Sequence, residues 1–215
     1  MKKRKLVFYS DLILPQNNKI NQRLLELIAK PNARVGYISS GNDPTEKWFQ
    51  GCKHYYSQFG VDLVMKIEPQ DANNSGKVEE LFRCDAIHLS GGSTYAFLGW
   101  IKESGLFDRL NLFAKEGNVL IGVSAGAILM TPDIQTSALV GDRFVNKNQD
   151  IISLGLVDFA FVPHFGRFGT NFTGLEAYSQ EHQMDVYACP DGTGIVVENE
   201  KIECIGEISI AHYGK

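Results

Sequence analysis

The chain has 215 residues, of which 44% are hydrophobic, 11% aromatic and 21% charged, the composition of a soluble globular protein that buries a core without staples. Lys and Arg number 21 against 25 Asp and Glu, and the resulting net charge of -4 argues against a nucleic-acid footprint, which needs clustered positive charge. Four cysteines, Cys52, Cys84, Cys189 and Cys204, stand far apart without a C-x-x-C pair, so free thiols in a reducing compartment are expected rather than disulfides or a zinc knuckle.

The basic start Met1-Lys2-Lys3-Arg4-Lys5 leads into an apolar run, Leu6–Tyr9, that Ser10 and Asp11 cut short. That run is too brief for an export signal, and no segment approaches the roughly 18 apolar residues of a membrane span, so a cytoplasmic location is expected. Short β-branched and aromatic runs then recur as candidate buried strands: Leu6–Tyr9, Val35–Ser39, Val61–Ile67, Ala86–Leu89, Val119–Val123, Phe159–Val162 and Ile195–Val197. Between the first two, Ile20, Leu24, Leu27 and Ile28 form one apolar stripe that predicts a helix over Lys19–Lys30, stopped by Pro31. The next helix is expected to start with Asp43 as N-cap, Pro44 at its first position and Glu46 three residues after the cap. Its stripe is Trp48 or Phe49, Cys52, Tyr55 or Tyr56, and Phe59, and Gly60 ends it. Asp71–Gly76 and Gly141–Asp150 read as surface loops.

Strand followed by helix, repeated four or five times, predicts an α/β fold: a doubly wound, mostly parallel sheet with helices on both faces. One domain spanning residues 1–215 is expected. Near the end, Thr193–Val197, Ile202–Ile205 and Glu207–Ile210 are separated by tight turns and predict a small antiparallel C-terminal edge.

In open α/β sheets ligands sit beyond the carboxyl ends of the strands. At one such end Val119–Val123 runs into Gly122-Val123-Ser124-Ala125-Gly126 and then an apolar helical segment, the context of a nucleophile elbow, which marks Ser124 as a candidate nucleophile. The N–H of Ala125 is placed to donate to an oxyanion beside it. Glycines that merely permit tight packing around a helix-capping Ser124 are the structural alternative. At another end, Gly91-Gly92-Ser93-Thr94 follows Ala86–Leu89, and its glycines can turn backbone N–H groups toward a ligand. The chain has neither G-x-x-x-x-G-K-[ST] nor G-x-G-x-x-G, which argues against a nucleotide site. Of five histidines, only His164 follows a buried strand, which makes it the candidate base; His54, His88, His182 and His212 read as bystanders. The acid that would hold the imidazole is assigned to Asp191 in Cys189-Pro190-Asp191-Gly192-Thr193, although Pro-Asp-Gly is also an ordinary turn and Asp133, Asp142 and Glu176 stay open.

At Gly91-Gly92-Ser93-Thr94, at Gly122-Val123-Ser124-Ala125-Gly126-Ala127 and at Pro163-His164-Phe165 the sequence resembles the S51 serine peptidases, the family of dipeptidase E and cyanophycinase. The likeness runs from the first strand to the turn at Asp191. It implies a fold related to class I glutamine amidotransferases, a Ser–His–acid triad of Ser124, His164 and Asp191, and hydrolysis of peptide bonds in short substrates. Gly91, Gly92 and Ala125 would line the oxyanion and substrate site, with no metal or organic cofactor required. Two places depart from the family pattern. Where dipeptidase E has its assigned triad aspartate and an arginine that reads an acidic side chain, Leu139 and Gln135 stand here, so neither role carries over. Where cyanophycinase-like members have a glutamate before a late strand, Asp191 offers a shorter carboxylate. Arg167 is a candidate substitute cation or an ordinary surface residue. The expected partner is a short peptide substrate, with neither nucleic acid nor membrane, and a homodimer stays open. Another serine amidase or esterase on the same elbow, or a non-catalytic binding protein on that scaffold, are the competing readings.

Overall fold

The computed structural model describes residues 4–142 and 150–214, so most of the stretch expected as a loop over Gly141–Asp150 lies outside the described residues. In chain order its elements are β1 (Lys5–Tyr9), α1 (Asn18–Ile28), β2 (Arg34–Ile38), α2 (Lys47–Ser57), β3 (Asp62–Ile67), α3 (Ser75–Leu81) and β4 (Ala86–Leu89). They continue as α4 (Thr94–Glu103), α5 (Leu106–Lys115), β5 (Val119–Val123), the single turn α6 (Ala125–Ile128), β6 (Ala160–Val162) and α7 (Phe172–His182). The chain closes with β7 (Val186–Ala188), β8 (Gly194–Glu198), β9 (Lys201–Ile205) and β10 (Ser209–Ala211).

A seven-stranded sheet has the order β3-β2-β4-β5-β1-β8-β9. The first five of these neighbours are parallel, and β8 and β9 add an antiparallel edge beside β1. Alternation along β1 divides the core between the faces. Leu6 and Phe8 join the cluster that contains Leu81, Leu98, Leu110 and Ile128 of α3–α6, while Val7 and Tyr9 join Ile20, Leu24, Phe49 and Tyr56 of α1 and α2.

A second sheet, β10-β7-β6, corrects two expectations. Phe159–Val162 does not enter the main sheet, and Glu207–Ile210 does not extend the C-terminal hairpin: β10 pairs with β7 instead. The physical reason is packing. Phe159 and Phe161 lay their rings 5.6 and 5.5 Å from Phe8, so this strand is buried against the face of the main sheet rather than in line with it. The segment Asp71–Gly76, expected as a loop, runs into α3, whose first turn is capped by Asn74 accepting from the Lys77 N–H.

The entry to α2 also differs in detail. The helix begins at Lys47, not at Pro44, because Glu46 takes a left-handed conformation with φ of 55°. Asp43 still serves the helix, since its buried carboxylate accepts from the N–H groups of Lys47, Trp48 and Phe49 at 2.8–3.2 Å.

His88, midway along β4, is buried beneath α2. Its Nδ1 lies 2.9 Å from the Tyr56 hydroxyl and its ring stacks on Tyr37 at 5.1 Å. Burial pushes its pKa down to about 3, against about 6.5 for a free histidine. Between those two values the unfolded chain binds a proton that the folded chain refuses, so stability is whole above about 6.5 and is lost as the pH falls toward 3. The denaturation midpoint should therefore fall between pH 7 and pH 4 more steeply in the wild type than in a His88→Phe variant. Parallel pH slopes for the two proteins would remove His88 from this role.

Candidate active site

Ser124 sits on the strained corner between β5 and α6, at φ 50° and ψ -109°. The flanking glycines are required by contact. A Cβ on Gly122 would stand 2.5 Å from the Gly126 carbonyl oxygen, and one on Gly126 would stand 2.2 Å from that of Leu89. The expected helix after the elbow is only one turn long, so its dipole is small and the local N–H groups matter more. The corner is held by Ser124 N–H donating to the Tyr9 carbonyl at 3.0 Å and Gly126 N–H donating to that of Ser90 at 3.0 Å.

The small sheet delivers the other groups. Parallel β6–β7 pairing continues past both strands: Cys189 N–H donates to the Val162 carbonyl, and Phe165 N–H donates to that of Cys189. His164 and Asp191 thus leave neighbouring strands side by side. His164 Nδ1 lies 2.5 Å from Asp191 Oδ1, and its Nε2 lies 2.9 Å from Ser124 Oγ. With Nδ1–H donating to the carboxylate, Nε2 is the nitrogen left to accept the serine proton.

Three serines that sequence reasoning did not single out support this arrangement. Ser10, fully buried at the end of β1, accepts from the His164 N–H at 2.8 Å and donates to the Cys189 carbonyl at 2.9 Å, with Asp191 Oδ1 at 3.4 Å. At the end of β2, Ser40 donates from its hydroxyl to the Gly91 carbonyl at 2.8 Å, and its N–H donates to the Ser90 hydroxyl at 2.8 Å. Ser90 also donates to the Gly91 carbonyl, at 3.0 Å. A planar trans peptide with its carbonyl held this way turns the Gly92 N–H to the opposite side. The N–H groups of Gly92 and Ala125 have no partner among the described residues, and Gly91 lies against Ser124. Gly92 has φ of +135°, and a Cβ there would collide with Ser40 Oγ at 2.0 Å. The signal available for these serines was position alone: each follows a strand of the parallel sheet.

The other candidates lie elsewhere. Asp133 accepts from the Gln135 N–H, Asp142 accepts from the Thr94 N–H at 2.6 Å at the start of α4, and Glu176 is exposed on α7. His54 is exposed on α2, His182 stacks on Tyr178, and His212 meets Asp185 at 2.9 Å. Half-buried Leu139 packs against the small-sheet core, and Gln135 lies 3.5 Å from His182. Exposed Arg167 approaches Asp191 Oδ2 at 3.4 Å rather than entering the cavity. Asp11, His164 and Asp191 bring donor atoms within 4.8 Å of one another, the one such three-donor group among the described residues. Two of those donors already share a hydrogen bond, so a cation there would have to displace the proton between them.

The sequence pattern of peptidase family S51 matches residues 12–205. The chain belongs to peptidase family S51. It is therefore a serine-type peptidase, a hydrolase, as the resemblance at Ser124 implied. An uncharacterized peptidase of Pasteurella multocida (strain Pm70) is 31% identical over 149 residues, 68% of this chain and 70% of that one. Among solved structures, a Listeria monocytogenes EGD-e protein carrying the peptidase E name superposes with a TM-score of 0.74 at 19% identity, covering 94% of this chain and 98% of that one. A peptidase from an acI-B1 Actinobacterium gives 0.69 at 16% identity, covering 99% and 96%. At these identities the two structures establish the shared fold.

In this S51 chain Ser10 ties both loops of the small sheet to the main sheet. Ser10→Ala leaves the His164 N–H without an acceptor and should cost about 1–3 kcal/mol in urea denaturation, with a lower melting temperature. A variant as stable as the wild type would show that water replaces the hydroxyl without loss.

Proposed function

We propose that the chain hydrolyses short peptides through an acyl-enzyme, with Ser124 as nucleophile, His164 as general base and acid, and Asp191 as the third member of a triad. Ser124 Oγ attacks the carbonyl carbon while His164 Nε2 takes its proton. Asp191 holds the ring in the tautomer that leaves Nε2 free and stabilises the imidazolium that forms. The N–H groups of Gly92 and Ala125 receive the oxyanion, each contributing about 3 kcal/mol to the transition state when aligned. His164 then gives the proton to the leaving amine, and water, deprotonated by the same nitrogen, releases the acid product.

The observation that carries this reading is the continuous relay from Asp191 through His164 to Ser124, at 2.5 and 2.9 Å, ending on a serine in a left-handed elbow. Family membership supports it. The absence of a carboxylate at Leu139 supports Asp191 as the acid, since no other acidic side chain among the described residues touches the His164 ring within hydrogen-bond distance.

Ser124→Ala should reduce turnover of a dipeptide panel by roughly 10⁴-fold or more, and should abolish labelling by a fluorophosphonate probe. Asp191→Asn should slow the same reaction by orders of magnitude at unchanged fold, checked by circular dichroism. Wild-type rates in the first variant would end the proposal; wild-type rates in the second would move the acid's role elsewhere. Faster cleavage of ester or simple amide substrates than of any peptide would favour an esterase or amidase on the same elbow.

A further inference from the structure

Beside Ser124 opens a cavity of about 530 Å³ whose walls come largely from α2 and the strands beneath it. Tyr37, Trp48, Cys52, Tyr55 and the buried His88 line it together with Ser124 and His164. Tyr37, Cys52, Tyr55 and His88 are buried, whereas Trp48 is 67% exposed and forms an outer wall. Three aromatic rings and a thiol offer apolar contact, and His88 adds no charge, being held neutral by its burial. The formally charged side chain of the lining is Asp11. No lysine or arginine lines the cavity: Lys47 lies over the outer ring of Trp48, and Arg167 is drawn to Asp191. Asp11 has no ion-pair partner among the described residues, and its carboxylate stands within 4.8 Å of the ring of His164.

We infer that this cavity selects a bulky neutral side chain, aromatic or long aliphatic, on the residue whose carbonyl Ser124 attacks, and that Asp11 receives the free α-ammonium of that residue. The inference rests on the peptidase reading and supplies its substrate class. An α-ammonium is two bonds from the attacked carbonyl carbon, so a carbonyl seated at Ser124 brings it into the reach of a carboxylate beside His164. The same negative charge, uncompensated by a cation in the lining, repels a substrate side chain that is itself acidic. Trp48 owes its place to the Asp43 carboxylate, which accepts its N–H at 2.8 Å and so fixes the first turn of α2 at the cavity rim.

The test uses free dipeptides that begin with phenylalanine, leucine, alanine or aspartate and end with alanine. Wild-type kcat/KM should favour phenylalanine or leucine over aspartate by about 10-fold or more. In Trp48→Ala, an exposed position that should fold, the phenylalanine-to-alanine ratio should fall about 10-fold. Asp11→Asn should raise KM for free dipeptides about 10-fold, with a smaller change in kcat, while Asp11→Glu restores part of the affinity. Calorimetric binding of the same dipeptides to Ser124→Ala protein gives a readout independent of turnover. Tighter binding of the phenylalanine dipeptide, weakened by adding Trp48→Ala, upholds the pocket even if the wild type cleaves nothing and the peptidase mechanism falls. Preferred cleavage of the aspartate dipeptide, or a Trp48→Ala protein whose selectivity is unchanged in both assays, overturns the pocket and leaves the Ser124 mechanism standing. An unchanged KM in Asp11→Asn removes the ammonium from the scheme.

Discussion

Parallel pairing is the constraint on which the site depends. Tyr9 faces Val123 across β1–β5, Leu89 faces Gly122 across β4–β5, and Ile38 faces Leu89 across β2–β4, so β1, β2, β4 and β5 end at one edge. Ser10, Ser40, Ser90 and Ser124 follow those four ends and fall into hydrogen-bonding range of each other's loops. The small sheet repeats the device, since Val162 faces Ala188 across β6–β7 and the residues after both strands become neighbours. A register slip in either sheet would turn side chains to the opposite faces and separate Ser124 from His164.

That convergence is bought with local strain. Ser124 and His164 both hold positive φ, at 50° and 54°, a conformation that costs non-glycine residues about 1–3 kcal/mol. It persists because the surroundings over-determine it. The N–H of Ser124 is fixed to Tyr9 and that of His164 to Ser10, both from the end of β1. A strand buried over Leu6–Tyr9 therefore anchors the Ser124 corner directly and the His164 backbone through one hydroxyl. Rigidity of this kind keeps acceptor and donor aligned before a substrate arrives, which is where preorganised sites gain over flexible ones.

Much of this was legible in the sequence because it rests on local rules. Short apolar runs rich in β-branched and aromatic residues marked the parallel strands, the Ile20–Leu24–Leu27 stripe marked α1, and glycines two residues either side of Ser124 marked the elbow. Asp191 was reached from its place before a late strand, and the structure sets it against His164. What escaped depends on contacts between distant segments. Phe159–Val162 has the composition of any buried strand, and nothing local says that it stacks on Phe8 rather than joining the main sheet. Ser10 and Ser40 are unremarkable as letters, since their importance lies in carbonyls and N–H groups 51 to 179 residues away. Asp43 was identified as a cap, but its reach over an intervening turn to three N–H groups could not be read from spacing.

The two departures from the family pattern gain a common physical sense in this framework. A carboxylate at position 139 would sit half-buried against the small-sheet core of Val162, Leu175 and Ala188, where partial desolvation is unfavourable without a partner. Leucine there contributes packing instead, and the acid contact to His164 comes from the β7–β8 turn, where Asp191 is partly solvated and meets Arg167 as well as His164. Glutamine at position 135 lies 3.5 Å from His182, and the cavity beside Ser124 has no guanidinium in its lining. In the proposed scheme chemistry and selection are separated in the fold: strand ends supply the hydrogen-bonded relay, and α2 supplies part of the cavity wall beside it. Changes on α2 can alter what enters without disturbing the strained elbow, whereas changes at Gly122 or Gly126 press a Cβ into backbone atoms and disturb both.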